Sequence, residues 1–283
     1  MIFGGTVYGQ PLIGWEETVR SLGREDLLDF YRRHVGPRGS KILVAGDFEP
    51  ERLFELVEQV WGDWQVMEPP TPPTIEPVPL EETRVYLVDR PGSSQTQLLL
   101  GHASLPRMHP EFHRFLLLNA ILGGKFTSRI NLNLRERNGF TYGANSSLAR
   151  RRGSAPFTMR AAVGTSVAGA AARELMHELR RIREEPVTED ELADTQRYLT
   201  WVFPYTLQTI GDILKRLEAL AVFDLEDDYY RHYPGLFLDI TREQLLETAQ
   251  RHLKPERMAI VAVGPVSELR EQFEGLGPIV VSE

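Results

Sequence analysis

The chain contains no cysteine, so the sequence excludes disulfide bonds, a catalytic thiol and cysteine-ligated metal. It also lacks an apolar run of about 18 residues, the length from which a membrane-spanning helix is inferred. The first residues, MIFGGTVYGQPL, have no basic segment followed by an apolar stretch, so they do not resemble a signal peptide. These absences predict a protein without membrane contact, for which the cytoplasm is the expected location.

Basic residues are in the minority, with 32 Lys and Arg against 40 Asp and Glu and a formal net charge of −8. This charge gives no support for nucleic-acid binding. The negative net charge is compatible with good solubility and also with a chamber that binds basic peptides, and it does not distinguish between these two explanations. The hydrophobic content of 42% and the charged content of 25% are typical of a globular protein, and 283 residues suffice for about two domains.

One stretch of the chain is too rich in proline to form a helix or a central strand. Residues 66–83 contain Pro69, Pro70, Pro72, Pro73, Pro77 and Pro79. Proline removes a backbone donor and fixes φ, so this stretch is predicted to be a semi-rigid extended linker. We therefore predict a domain boundary here, with residues 1–65 in one part of the protein and residues 84–283 in the other.

Apolar spacing predicts secondary structure on both sides of this linker. Before it, helices are predicted at residues 24–34 and 50–61, with a short buried strand at residues 41–46 between them. After it, Thr188 and Glu191 have the spacing of a capping box that begins a helix. The other elements predicted there are strands at residues 83–88, 96–104 and 156–163, a helix from residue 110 to a glycine pair, and helices at residues 167–184 and 207–223.

The end of the chain repeats its beginning at an offset of 218 residues. Residues 24–34 match residues 242–252 in a polar helix start and a histidine at the helix end. Residues 41–46 match residues 259–264 in an apolar run that ends in glycine. Such self-similarity is typical of duplicated units. Residues 83–202 precede the second copy and have no counterpart before the first, so we expect a fragment of a longer chain or a short homologue.

The stretch Leu122–Leu148 reads LGGKFTSRINLNLRERNGFTYGANSSL. A helix is predicted at residues 127–138, and Gly139 supplies a helix stop. Arg135 lies in the last helical turn and Tyr142 in the extended segment that follows, so the two side chains meet only across the helix–strand turn. An arginine favoured by the helix dipole and a tyrosine packed in a sheet would explain the spacing equally well.

The pattern GG-x-F-x-S-R-x-x-x-x-L-R-E-x-x-G-F-x-Y-G in this stretch resembles the signature of the second half of the pitrilysin/insulinase-type zinc peptidases. This family includes the mitochondrial processing peptidases. The resemblance implies that Arg135 and Tyr142 act from the half opposite the zinc. A guanidinium and a phenol O–H are suitable donors to a substrate carbonyl oxygen or an incipient oxyanion.

Four further residues of the stretch are candidate substrate-binding residues by the same resemblance: Gly123, Gly124, Ser128 and Asn145. The glycine pair would allow close backbone packing, although a plain helix stop would explain it as well. Ser128 and Asn145 are equally explained as polar neighbours with structural hydrogen bonds.

The resemblance implies an α+β fold of duplicated halves, each a mainly antiparallel sheet with helices packed on one face. Residues 1–65 would then be the second part of a truncated N-terminal, zinc-bearing half. Residues 84–283 would be the complete C-terminal half, joined through the linker at residues 66–83. The halves of such proteins enclose a chamber in which peptide adds a strand to an exposed sheet edge.

The zinc motif of the family, H-x-x-E-H, does not begin at any of the seven histidines. The nearest match is His109-Pro110-Glu111-Phe112-His113, in which the glutamate is one position early and Pro110 begins a helix, so His109 is a cap residue. We therefore predict no metal ligand and no cofactor in this chain, with zinc in the complete protein or in a partner. His252 ends the repeated helix, a position that favours a structural role.

Three functions remain open. The first is the peptide-binding C-terminal portion of a zinc endopeptidase that acts on peptides or unfolded segments and is inactive alone. The second is a non-catalytic partner subunit that completes the active site of a companion. The third is a structural homologue, as in respiratory-complex core proteins. The expected partners are peptide and either the missing zinc-bearing segment or a catalytic subunit, with no nucleic acid and no membrane.

Overall fold

The computed structural model describes residues 1–65 and 75–282, so half of the predicted linker, residues 66–74, lies outside the described residues. The chain groups into two compact units. The larger comprises Met1–Gly9, Ile75–Val202 and Tyr230–Glu283, and the smaller comprises Gln10–Thr74 and Phe203–Tyr229. The predicted division at residues 66–83 stays a prediction. The grouping differs from it in placing Met1–Gly9 with the larger unit and Phe203–Tyr229 with the smaller one.

The larger unit contains a six-stranded mixed sheet in the order β3-β4-β2-β5-β1-β6. The strand pairs β3–β4, β4–β2 and β2–β5 are antiparallel, whereas β5–β1 and β1–β6 are parallel. The α+β class with a mainly antiparallel sheet is thus confirmed for this unit. The strands are β1 (Arg84–Asp89), β2 (Gln95–Ser104), β3 (Ala144–Leu148), β4 (Ala155–Gly164), β5 (Ala259–Gly264) and β6 (Ile279–Ser282).

Alternating burial along the strands shows which face of the sheet carries the core. In β4, every second residue from Ala155 to Val163 is buried, which is the period that places one face of a strand inwards. Phe115, Leu175 and Leu245, from three different helices, are fully buried in the same apolar cluster. The opposite face is open, since Leu99 in the central strand β2 is 43% exposed.

The helices of the larger unit follow the predicted periodicity closely. Thr188 and Glu191 form the predicted capping box, because the backbone N–H of Glu191 donates to Thr188 Oγ1 at 3.1 Å and that of Thr188 donates to Glu191 Oε2 at 2.8 Å. The bounds of six helices are α4 (Phe112–Asn119), α5 (Arg129–Asn131), α6 (Ala168–Glu184), α7 (Glu189–Val202), α11 (Arg242–His252) and α12 (Val266–Gln272). Two short helices, α9 (Tyr229–His232) and α10 (Gly235–Leu238), precede α11.

The smaller unit contains four complete α-helices among its described residues, and the predicted bounds of two of them agree with the structure. They are α1 (Glu16–Ser21), α2 (Arg24–His34), α3 (Pro50–Trp61) and α8 (Ile210–Phe223). At an offset of 218 residues, α2 matches α11 end to end.

The predicted strand at residues 41–46 is wrong. These residues form no strand in the described part of the chain, and Ile42 is 53% exposed. Their counterpart, β5, lies between β2 and β1 and bonds to both. A strand is stabilised by neighbours that satisfy its backbone groups, and residues 41–46 pair with no described strand. The two copies therefore share the helix and differ in the strand.

The helices within residues 1–65 and 75–282 are each too short or too polar to span the apolar core of a bilayer.

Candidate functional site

The candidate site lies where α4, α5 and β3 meet. A π-helical turn, Ala120–Gly124, continues α4, and a second, Leu132–Arg137, continues α5. Gly139 has a φ of 64°, in the left-handed region, and ends the second helical segment as predicted. π-Helical turns are rare, and those that occur are often found at functional sites. The two π-helical turns next to β3 therefore mark this region as a candidate site.

The glycine pair is required by close packing. A Cβ built on Gly123 would lie 2.4 Å from Ser146 Oγ and 2.5 Å from the backbone nitrogen of Ser146 in β3. A Cβ on Gly124 would lie 3.0 Å from Asn119 Nδ2. The first distance is shorter than real Cβ contacts, so Gly123 brings the helix end directly onto the strand. The alternative of a plain helix stop does not account for this contact.

Two asparagines that sequence reasoning missed hold the turn together. Asn131 Nδ2 donates to the backbone oxygen of Phe126 at 2.7 Å, and the backbone N–H of Ala144 donates to Asn131 Oδ1 at 3.0 Å. Asn119 Oδ1 accepts a hydrogen bond of 2.7 Å from Ser146 Oγ. Both side chains are buried. The signal available in the sequence was a polar residue within an otherwise apolar helical run.

A cavity of about 380 Å³ opens at this turn, and we call it the glycine-pair pocket. Its lining includes four predicted site residues, Gly123, Gly124, Tyr142 and Asn145. The Tyr142 side chain is 94% exposed, so its phenol is free to meet a ligand and is not packed in the sheet. The structure therefore brings these four residues together around one cavity.

Arg135 lies beside the pocket without lining it. Its guanidinium carbon is 4.6 Å from the ring centroid of Phe126, and Phe126 lines the pocket. Arg135 Nε is 3.5 Å from Glu136 Oε1, in a weak exposed ion pair. A stacked, partly exposed guanidinium keeps donors available for a ligand, because cation–π stacking uses the face of the group and not its N–H edges.

Ser128 is placed differently from the other candidates. It precedes α5 as the N-cap residue, it is fully buried, and its Oγ has no hydrogen-bond partner in the part of the chain that the structure describes. It does not line the glycine-pair pocket. The neighbouring motif residue Arg129 is also turned inwards, where Nε and Nη2 donate to the two carboxylate oxygens of Glu191 at 2.7 and 2.8 Å.

The Arg129–Glu191 fork joins the motif to α7. Burial alone would raise the pKa of Glu191, but hydrogen bonds from Arg129 and Thr188 outweigh it, and the pKa is lowered overall. Glu191 therefore stays ionised and serves both the capping box and the fork. This bidentate pairing holds α7 against the motif without using any group of the glycine-pair pocket.

Beside the pocket, β3 forms one edge of the sheet. It pairs with β4 alone among the described strands. On the open face, Arg160 Nε donates to Asn145 Oδ1 at 2.8 Å, which fixes the amide of this candidate residue. An edge strand presents unpaired backbone groups that an extended peptide is able to join.

The histidines of the H-P-E-F-H segment separate in the fold. His113 packs against the rings of Tyr233 and Phe237, with ring centroids 6.4 and 5.9 Å away, and burial lowers its pKa to about 4. His109, Glu111 and His252 form the one group of three potential metal ligands found among the described residues, with ligand atoms within 4.8 Å of one another.

The carboxylate of Glu111 is already engaged. It accepts hydrogen bonds from Arg251 and, at 2.5 Å, from His252 Nε2. Burial alone would raise the pKa of Glu111, but these two hydrogen bonds outweigh it and the pKa is lowered. A cation here would compete with a guanidinium for the same carboxylate. We therefore interpret the group as an ion-paired clamp between the start of α4 and the end of α11.

Comparison with known proteins identifies the family to which this fold belongs. Residues 21–199 match the family described as Peptidase M16 inactive domain. The match covers more than half of the chain, and the chain therefore belongs to the peptidase M16 family. The predicted pitrilysin-type resemblance is confirmed.

Similar proteins are named as zinc proteases. An uncharacterized zinc protease of Streptomyces coelicolor is 24% identical over 221 residues, which is 76% of this chain and 48% of that protein. One of Bacillus subtilis is 22% identical over 217 residues, 76% of this chain and 51% of that protein. One of Mycobacterium tuberculosis aligns over 99% of this chain and 64% of its own length at 25% identity. The chain thus spans about half to two thirds of these relatives.

Solved structures share the fold. A peptidase M16 inactive domain from Pseudomonas fluorescens superposes with a TM-score of 0.81 at 23% identity, covering 93% of this chain and 63% of that one. A chain of Complex III2 from Candida albicans gives a TM-score of 0.78 at 14% identity, covering 98% of this chain and 68% of that one. At these identities the likeness concerns the fold alone.

Proposed function

We propose that this chain is the substrate-binding portion of a zinc-dependent endopeptidase that acts on peptides or unfolded segments. The observation that supports this most is the glycine-pair pocket, which gathers Gly123, Gly124, Tyr142 and Asn145 beside the stacked guanidinium of Arg135 and beside the edge of β3. In this proposal a peptide extends along the edge strand, and one of its carbonyl groups points into the pocket.

Tyr142 and Arg135 supply the hydrogen-bond donors in this proposal. The phenol O–H and the guanidinium N–H groups donate to the carbonyl oxygen and donate more strongly as negative charge develops on it. The packing of Gly123 on Ser146 and the bonds of Asn131 fix the backbone of the turn, so the segments that carry the two donor residues are held in place before the peptide arrives. Preorganised donors of this kind stabilise the charged form without reorganisation.

The residues of this chain do not fit a catalytic zinc. The sequence has no H-x-x-E-H motif, and in the His109–Glu111–His252 group the carboxylate is bound by Arg251. We therefore assign no step to zinc here and place it in residues outside this chain or in a partner. The cytoplasm remains the proposed location.

A non-catalytic partner subunit is the second candidate function. The description of the matched family as an inactive domain favours it, and the pocket would serve a companion's active site in the same way. A purely structural role is supported only by the fold that is shared with a chain of Complex III2. The two main candidates differ in the reading frame upstream of Met1, which carries H-x-x-E-H in the first case and lacks it in the second.

The proposal predicts that Arg135→Ala and Tyr142→Phe lower peptide turnover by about 10²–10³-fold in the zinc-bearing assembly, because each removes an oxyanion donor. Turnover of an unstructured fluorogenic peptide and zinc content by mass spectrometry are the measurements. Arg137→Ala, in the same helical turn, and Tyr205→Phe, another exposed tyrosine, are matched controls expected to remain active. Unchanged turnover in both test variants, or loss of zinc in either, would contradict the assigned role.

A further inference from the structure

A second cavity adjoins the glycine-pair pocket. It has a volume of about 430 Å³, and we call it the α7 pocket. The two cavities share Lys125 and Tyr198, so they are adjacent, and we call the surface from the motif turn to the end of α7 that contains both the groove. The α7 pocket is lined by Lys125, Thr127, Asp194, Arg197, Tyr198 and Trp201.

The groove has an aromatic wall that is open to solvent. Trp201 is 72% exposed and Tyr198 is 40% exposed, and both lie in the last turns of α7. Phe126, at the other end of the groove, is 67% exposed. Large exposed aromatic side chains along a concave surface are typical of sites that bind other chains, because they offer apolar area at low entropic cost.

Among the residues that the structure describes, the charged side chains that line the groove are paired except for one. Asp194 pairs with Arg197, and Glu191 is held in the fork of Arg129. The half-buried ammonium of Lys125, where the two pockets meet, forms no hydrogen bond or ion pair in the described part of the chain. Burial lowers the pKa of Lys125, although Asp194 and Glu191 partly oppose that effect. A partly desolvated cation without a partner is unfavourable until an anion joins it.

Two further cations contact the wall of the glycine-pair pocket, whereas Asp194 lines the α7 pocket and not this one, and these cations favour an anion in the glycine-pair pocket. Arg135 stacks on Phe126 in the wall of the glycine-pair pocket, and Arg160 is bonded to Asn145 of the same wall. The chain as a whole carries a formal net charge of −8, so this cluster of cations is a local departure from an acidic protein. Electrostatic complementarity of this kind selects ligands by charge.

We propose that Lys125 binds a carboxylate of the peptide while the adjacent apolar side chain of that peptide packs against Tyr198 and Trp201. This inference rests on the proposed function, because it requires that the groove receive a peptide. The carboxylate belongs either to an aspartate or glutamate side chain or to the C-terminus of the peptide. The groove therefore favours acidic over basic peptides, contrary to what the overall charge of the protein would suggest.

The test uses four labelled unstructured peptides that differ only in charge. Each carries a central Asp-Leu or Asn-Leu pair and ends in a free carboxylate or a carboxamide. Fluorescence anisotropy with the full chain gives the dissociation constants. We expect either the Asp→Asn exchange or the amidation to weaken binding about tenfold. The first result assigns the carboxylate to a side chain and the second to the C-terminus.

Variants of Lys125 make the inference specific. In Lys125→Gln the preference between acidic and neutral peptides should disappear, and in Lys125→Glu it should reverse. Lys215→Gln removes an exposed lysine on α8 and should keep the preference. Trp201→Ala should weaken all four peptides by a similar factor, because it removes apolar contact and no charge.

The outcomes separate this inference from the proposed function. If all four peptides bind the chain equally and Lys125→Gln changes nothing, the carboxylate site is wrong while peptide binding stands. If none of the four binds at millimolar concentration, the groove receives no peptide, and both the inference and the proposed function fail.

Discussion

At the scale of single residues, the Cα of Gly123 faces Ser146 across the turn of the motif with no room for a methyl group. The same glycine lines the glycine-pair pocket, so packing and ligand access depend on one position. Which single residues matter at the candidate site could be predicted only in part from the sequence. Gly123 and Tyr142 stood out in the motif, whereas Asn131 and Lys125 did not, because their importance depends on partners and cavities that arise only on folding.

Gly123→Ala should destabilise the chain by about 1–3 kcal/mol, because the added Cβ would lie 2.4 Å from Ser146 Oγ and force strand and helix apart. Chemical denaturation followed by circular dichroism is the measurement. Gly235→Ala is the matched control, since a Cβ there meets nothing within 4 Å. Equal midpoints for Gly123→Ala and the unchanged chain would show that the turn relaxes freely and that its geometry is not fixed.

At the scale of helices and strands, short sequence motifs predicted where helices begin and end. They did not predict which distant segments pair as strands. The Thr188–Glu191 capping box and the proline at the start of α3 act within one helical turn, and both helices begin where the sequence indicated. The run at residues 41–46 has the same character as β5, yet only β5 has strands on both sides. Strand identity depends on such neighbours, and no local pattern contains them.

Two buried histidines, His102 and His113, should make the free energy of unfolding fall as the pH drops below 6.5. Burial lowers the pKa of His102 in β2 to about 4, and that of His113 in α4 to about 4. The unfolded chain binds these protons from about pH 6.5 downwards, whereas the folded chain does not. Stability is therefore fully present above pH 6.5 and falls towards pH 4 by at most about 1.4 kcal/mol per pH unit for each imidazole.

Urea midpoints at pH 7.5, 6.5, 5.5 and 4.5 measure this fall, and His113→Phe should reduce its slope because the ring that resists protonation is gone. His177→Asn, on the exposed side of α6, is the control substitution. Glu111, whose pKa is lowered by His252 and Arg251 despite burial, adds a further loss below its unfolded pKa of 4.5. A slope that His113→Phe leaves unchanged would contradict the assignment of that imidazole.

At the scale of the whole molecule, the two compact units differ in how much core they contain. The larger unit holds a continuous apolar cluster that includes Leu100, Phe157, Leu175 and Ile260, all fully buried. In the smaller unit, α1, α2, α3 and α8 contain no buried residue. Apolar side chains such as Phe30, Phe54 and Trp61 are instead 60%, 71% and 47% exposed. Buried apolar area is the main favourable term in folding, so the units should differ in stability.

Hydrogen exchange followed by mass spectrometry should therefore show amides of α2, α3 and α8 exchanging through low-energy local openings, while those of β2, β4 and α6 exchange only on global unfolding. Low denaturant should accelerate the second group alone, because local opening exposes little surface and global unfolding exposes much. The chain carries its own control, since α11 matches α2 in sequence pattern and length yet buries Leu245 and Ala249. Equal protection of α2 and α11 would show that their shared sequence pattern, and not the core around α11, determines their stability.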